Sequence, residues 1–116
     1  MLSFPSSRRI WLARSPTDMR RGIDTLVSMV VGELVGEPRC GDCFVFVGRD
    51  QRRLKVLVWD AGGYWLCTKR LDVGTFAVPR CDDPAATRVE LSPARMHLLL
   101  AGIDVRAARY RKRLEH

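Results

Sequence analysis

The four residues Asp60-Ala61-Gly62-Gly63 lie between two strand-like runs, 54–59 and 64–71. A glycine-containing connection this short joins antiparallel strands, because parallel strands need a crossover of a dozen or more residues. The loop also fixes a register. With all four residues as loop, Trp59 pairs with Tyr64, Val58 with Trp65, Leu57 with Leu66, Val56 with Cys67, Lys55 with Thr68, and Arg53 with Arg70. Successive side chains point to opposite faces of a strand. Leu54, Val56, Val58, Trp65 and Cys67 therefore share one face, which is the expected core face. The other face holds Trp59, Tyr64, Leu57, Leu66, Lys55, Arg53 and Arg70, apolar at one end and basic at the other. If exposed, that face suits nucleic acid, with aromatics to stack on bases and cations to meet phosphates. Alternatively, a helix or a partner covers its apolar end.

The period of the apolar pattern changes along the chain. Met19, Ile23, Leu26, Val27, Val30, Val31 and Leu34 trace one helical face. Ser15-Pro16-Thr17-Asp18 precedes it, with Ser15 as N-cap and Pro16 as first helical residue, and Gly36 and Pro38 follow. A helix is expected over 16–35. Ser92-Pro93 repeats the device before Met96, Leu99, Leu100 and Ile103, with Gly102 as the stop, so a second helix is expected over 93–102. Further short strands are expected at 9–13, 44–47, 75–78 and 88–91. The reading is one α+β domain over 1–105: an antiparallel β-meander with an N-terminal and a C-terminal helix packed on it.

The 116 residues suffice for one domain and can bury a core without disulfide or metal. No apolar run approaches the roughly 20 residues of a membrane span. The first nine residues lack the apolar centre of a secretory signal, so a cytoplasmic protein with no membrane partner is expected. The net charge of +7 is unevenly placed. Arg106, Arg109, Arg111, Lys112 and Arg113 crowd a basic tail, 106–113, which favours a polyanion such as DNA or simply solvates the chain end. Residues 114–116 read as a remnant of a vector-encoded tag.

Catalytic signatures are absent. His97 has Pro93, Ala94, Leu100 and Ala101 at helical spacing, none of them a metal-ligating or acid–base residue type. No glycine-rich phosphate loop carries a lysine. Arg53, Cys67 and Tyr110 stand two residues before the three lysines, where a restriction-type nuclease has an acid. Asp18, Asp24, Asp60, Asp72 and Asp104 are scattered as caps and turn residues. Cys40 and Cys43 have the spacing of half a zinc site, but Cys67 and Cys81 do not supply the other half. No metal and no cofactor are expected.

Several short motifs recur in a fixed order: Trp11-Leu12-Ala13, Thr17-Asp18-Met19-Arg20-Arg21-Gly22, Phe44-Val45-Phe46 with Gly48-Arg49, and Lys55. They continue through Trp59-Asp60 with Gly63, Lys69-Arg70-Leu71, Gly74 with Phe76, and Leu99-Leu100 with Gly102-Ile103-Asp104. From about residue 9 to 106 this order resembles the small accessory protein of the insertion sequence 66 family of bacterial mobile elements, its second-open-reading-frame product. Ile23 and Val47 depart from the usual pattern. The resemblance implies a non-catalytic helper in transposition, the cutting and joining being done by a separate transposase. Two roles fit. In one, the protein binds DNA, such as the element ends, through Arg53, Lys55, Arg70 and the basic tail. In the other, it is an adaptor that docks on the transposase through Trp59 and Tyr64.

Overall fold

A computed structural model describes residues 8–103. In chain order the elements are β1 (Ile10–Ala13), α1 (Ile23–Gly32), β2 (Cys43–Val47), β3 (Arg53–Asp60), β4 (Gly63–Arg70), β5 (Arg88–Leu91) and α2 (Pro93–Ala101). The strands form one mixed sheet in the order β4-β3-β2-β1-β5. The fold is α+β, and the sheet is largely antiparallel.

The β3–β4 hairpin has the register expected from its loop, from Arg53 opposite Arg70 to Trp59 opposite Tyr64. Pairing runs one step further, to Asp60 and Gly63, so the loop proper is Ala61-Gly62. Both loop residues have positive φ, 47° and 86°. That is the signature of a type I′ turn, whose twist matches the flanking strands.

The meander runs through β2, β3 and β4 and stops there. β5 returns to the far edge and pairs with β1, while β1 lies parallel to β2. Helix α1 supplies the crossover that a parallel pair requires. The expected strand at 75–78 does not form. Thr75 makes one isolated bridge to Ile103, and Phe76 is buried as a plug without a ladder.

Both faces of the sheet are covered, which explains the unbroken apolar run of β2. Cys43, Val45 and Val47 join Leu54, Val56 and Val58 beneath Met96 and Leu99 of α2, together with Phe76. Phe44, Phe46 and Leu57 face Leu26, Met29 and Val30 of α1. A strand buried on both sides reads as continuous hydrophobics rather than alternation. Each fully buried Leu or Phe contributes about 1.5–3 kcal/mol relative to an exposed one.

The two Ser-Pro sequences behave differently. Ser92 caps α2: its Oγ accepts a hydrogen bond from the Arg95 amide at 3.2 Å, and Pro93 is the first helical residue. Ser15 caps nothing. Helix α1 begins at Ile23 behind Gly22, which offers no side-chain cap. The Thr17 amide donates to Val47 O at 2.9 Å, tying the segment to the end of β2. Asp18 Oδ1 accepts from the Arg20 amide at 2.9 Å and closes a turn of its own. These bonds hold 16–22 as a loop in place of the first helical turns.

Trp65 is a second departure. It shares a face with Val56 and Cys67, as expected, yet it is 60% exposed. β4 is an edge strand, and α2 packs over the same face but toward β5, at the opposite edge of the sheet.

Candidate nucleic-acid interface

The basic end of the hairpin meets two loops. Arg53 opens β3 and Arg70 closes β4, directly opposite one another and both exposed. Like charges facing each other across a ladder destabilise it. Beside them, residues 48–52 turn from β2 into β3. The turn is held by the Gly48 amide donating to Arg53 O and the Gln51 amide donating to Gly48 O, each at 2.9 Å. The Asp50 carboxylate accepts the Arg52 amide at 3.0 Å.

The 16–20 loop lies against this turn, and Met19 packs over Gly48. A Cβ at Gly48 would stand 2.8 Å from Met19 Cγ, so glycine permits the close approach. Between the loops is an open cleft of about 500 Å³, lined by Thr17, Asp18, Arg20, Arg49, Asp50 and Arg53 among others. Arg53 and Met19 also border a second hollow of about 560 Å³, shared with Lys55, Thr68, Arg70 and Asp72. The two form one surface with five basic and three acidic side chains.

The acids on this surface are already engaged. Arg20 grips Asp18 through Nε at 3.0 Å and Nη2 at 2.8 Å. Those hydrogen bonds hold the Asp18 carboxyl well below the usual carboxylate range. Asp72 lies 3.4 Å from Arg70, with both groups largely exposed. Such surface pairs contribute little and leave the arginine open to other anions. Arg49 and Arg53 have no acidic partner among the described residues.

The residues expected from sequence do not all meet here. Arg53, Lys55 and Arg70 do. Lys55 is half-buried, and its Nζ donates to Arg21 O at 2.8 Å, so its charge sits at the foot of α1. Trp59 and Tyr64 lie at the other end of the face, half-buried, edge to face with ring centroids 4.8 Å apart. The Arg39 guanidinium stands 5.0 Å from the Trp59 ring centre. Leu57, next on that face, is wholly buried under α1. A helix therefore covers the apolar end, and the aromatics do not form a stacking platform beside the cations. Arg106, Arg109, Arg111, Lys112 and Arg113 lie outside the described residues. Arg20 and Arg49 were not singled out from sequence as binding residues. Their signal was membership of the Thr17–Gly22 and Gly48-Arg49 motifs.

The cysteines do not converge. Cys40 is exposed, whereas Cys43 is packed in the core beneath α2, where burial pushes its thiol up to about 11. Among the described residues, no three His, Cys, Asp or Glu side chains come together as a metal site. None of the described helices is long and apolar enough to cross a membrane.

The fold and this basic surface describe a small α+β protein with an open, arginine-lined cleft. A family profile described as "IS66 Orf2 like protein" matches residues 8–110. The uncharacterized protein y4jC of Sinorhizobium fredii (strain NBRC 101917 / NGR234) is 42% identical over 96 residues, covering 83% of this chain and 80% of that one. A second uncharacterized protein of the same strain, y4hO, is 42% identical over 106 residues, 91% of this chain and 90% of its own. No solved structure matches. The chain belongs to the IS66 Orf2-like family and is thus an insertion-sequence-associated protein.

Proposed function

We propose that this protein is a non-catalytic accessory factor of transposition, acting in the cytoplasm, that binds DNA through the basic end of its sheet. One observation carries the reading. Arg53 and Arg70 face each other across the hairpin, and Arg49 and Arg53 lack an acidic partner among the described residues. A like-charge pair of this kind is unfavourable in the free protein. A polyanion laid across it removes the penalty, and phosphate contacts from arginine supply most sequence-independent affinity. The basic tail would extend the same contact, and the cognate transposase would act on the DNA so held. The test is fluorescence anisotropy with duplex DNA at low salt. Arg53→Glu with Arg70→Glu should abolish most binding, with cooperative thermal unfolding as the check that the variant is folded. Unchanged affinity in that double variant would reject the surface.

Docking on the transposase is the second reading, and Trp65 favours it. A tryptophan 60% exposed on an edge strand is the type of residue that anchors protein interfaces. Trp59 and Tyr64, the residues first expected to serve, are half-buried, edge to face with one another, and offer less. A pull-down with the cognate transposase that survives the double arginine reversal but is lost in Trp65→Ser would favour the adaptor role.

A further inference from the structure

The Thr17 side chain is the one buried polar group among the described residues whose side-chain atom has no hydrogen-bond partner. Its residue is 4% exposed, and it lines the cleft between the 16–20 loop and the 48–52 turn. Leaving a buried hydroxyl unsatisfied costs stability, so such a group calls for an explanation. Local geometry offers none. The Thr17 backbone is fixed by its amide bond to Val47 O, and nothing in that bond requires a hydroxyl on the side chain. Valine would fill the same volume without the penalty.

The neighbours of Thr17 say what would satisfy it. Arg49 and Arg53 line the same cleft, and both guanidiniums lack a partner among the described residues. Arg20 lines it too, with its Nε and Nη2 given to Asp18. The two carboxylates present, Asp18 and Asp50, already accept the Arg20 and Arg52 amides. Among the donors that line the cleft, one hydroxyl and two guanidiniums are without a partner among the described residues. Unpartnered donors lining one cleft suit an oxyanion, and arginine forks match the oxygens of a phosphate.

We infer that this cleft is a phosphate-binding site, with Arg49 and Arg53 holding the charge and the Thr17 hydroxyl donating to one phosphate oxygen. Entry requires a local shift of the 16–20 loop, since the hydroxyl is covered in the free protein. The site deepens the DNA-binding reading and rests on it for the source of the ligand, a backbone phosphate. Free phosphate is the other source of the same chemistry.

The experiment uses the full chain and Thr17→Val, a shape-conserving change that removes only the hydroxyl. Thermal midpoints are recorded in inorganic phosphate and in chloride at matched ionic strength, and duplex DNA affinity is measured in parallel. The expected results are a phosphate-specific rise in midpoint for the wild type and its loss in Thr17→Val. The variant's own midpoint in chloride should be equal or higher, which shows that it folds. DNA affinity in the variant should fall about tenfold, the order expected for one hydrogen bond to a charged group. Arg49→Ala should lose the phosphate effect as well. Phosphate protection that depends on Thr17, without DNA binding by the wild type, would support the site with free phosphate as ligand and remove the DNA reading. DNA binding that is indifferent to Thr17→Val and Arg49→Ala, with no phosphate-specific protection, would overturn the site and leave the DNA reading standing.

Discussion

Two serines followed by proline, Ser15 and Ser92, look alike in sequence and should respond differently to removal of the hydroxyl. Ser92 Oγ accepts the Arg95 amide at 3.2 Å at the start of α2, whose Met96 and Leu99 seal one face of the sheet. Losing an N-cap acceptor of this kind costs about 1 kcal/mol. For 116 residues, the unfolding entropy is about 0.24 kcal/mol/K, so Ser92→Ala should lower the thermal midpoint by about 4 °C. Ser92→Asp should recover most of that loss, because aspartate caps as well. Ser15 is exposed and caps no helix, so Ser15→Ala should fall within about 0.5 kcal/mol of wild type, the range of ordinary surface substitutions. The assay is reversible thermal unfolding followed by far-ultraviolet circular dichroism, checked by urea midpoints at constant slope. Equal losses for the two serines, or a larger loss at Ser15, would refute the loop assigned to residues 16–22.

Leu57→Ala should destabilise the protein by about 2–5 kcal/mol, since the side chain is wholly buried between β3 and α1; a urea-derived loss below 1 kcal/mol would mean that α1 does not cover that face. Cys43 should resist alkylation in the folded protein while Cys40 reacts, with mass spectrometry after limited labelling as the check. The Cys43 thiol also sets a sign for alkaline stability. Its folded pKa is about 11 against 9.0 in the open chain, so the unfolded chain loses the proton first and stability should decline as pH rises through that interval. A Cys43→Ala variant should show a weaker decline in pH-dependent urea unfolding.

What the sequence disclosed and what it hid divide along the range of the interactions. The β3–β4 register was legible because a short loop and a two-residue period determine it locally. Ser92 was legible for the same reason. Ser15 carried the same local signal but was overruled by the Thr17 amide bond to Val47 O, a contact 30 residues away in sequence. The parallel pairing of β1 with β2 and the return of β5 to the far edge are equally non-local. Phe76 shows why burial alone does not imply a strand: it fills the core from a segment without ladder bonds. The candidate site divides in the same way. Arg53 and Arg70 followed from the register, whereas Arg20, Arg49 and the buried Thr17 hydroxyl join them only through the packing of two loops.

The most direct measurement is the slope of log affinity against log salt concentration for duplex DNA, by fluorescence anisotropy. Each phosphate neutralised contributes about 0.9 to that slope. Arg53→Ala with Arg70→Ala should therefore lower it by about 1.8, and deletion of residues 106–116, which carry five basic side chains, by about 4 to 5. Absence of binding by the full chain at low salt, or a slope unmoved by either change, would contradict DNA binding through this surface and tail.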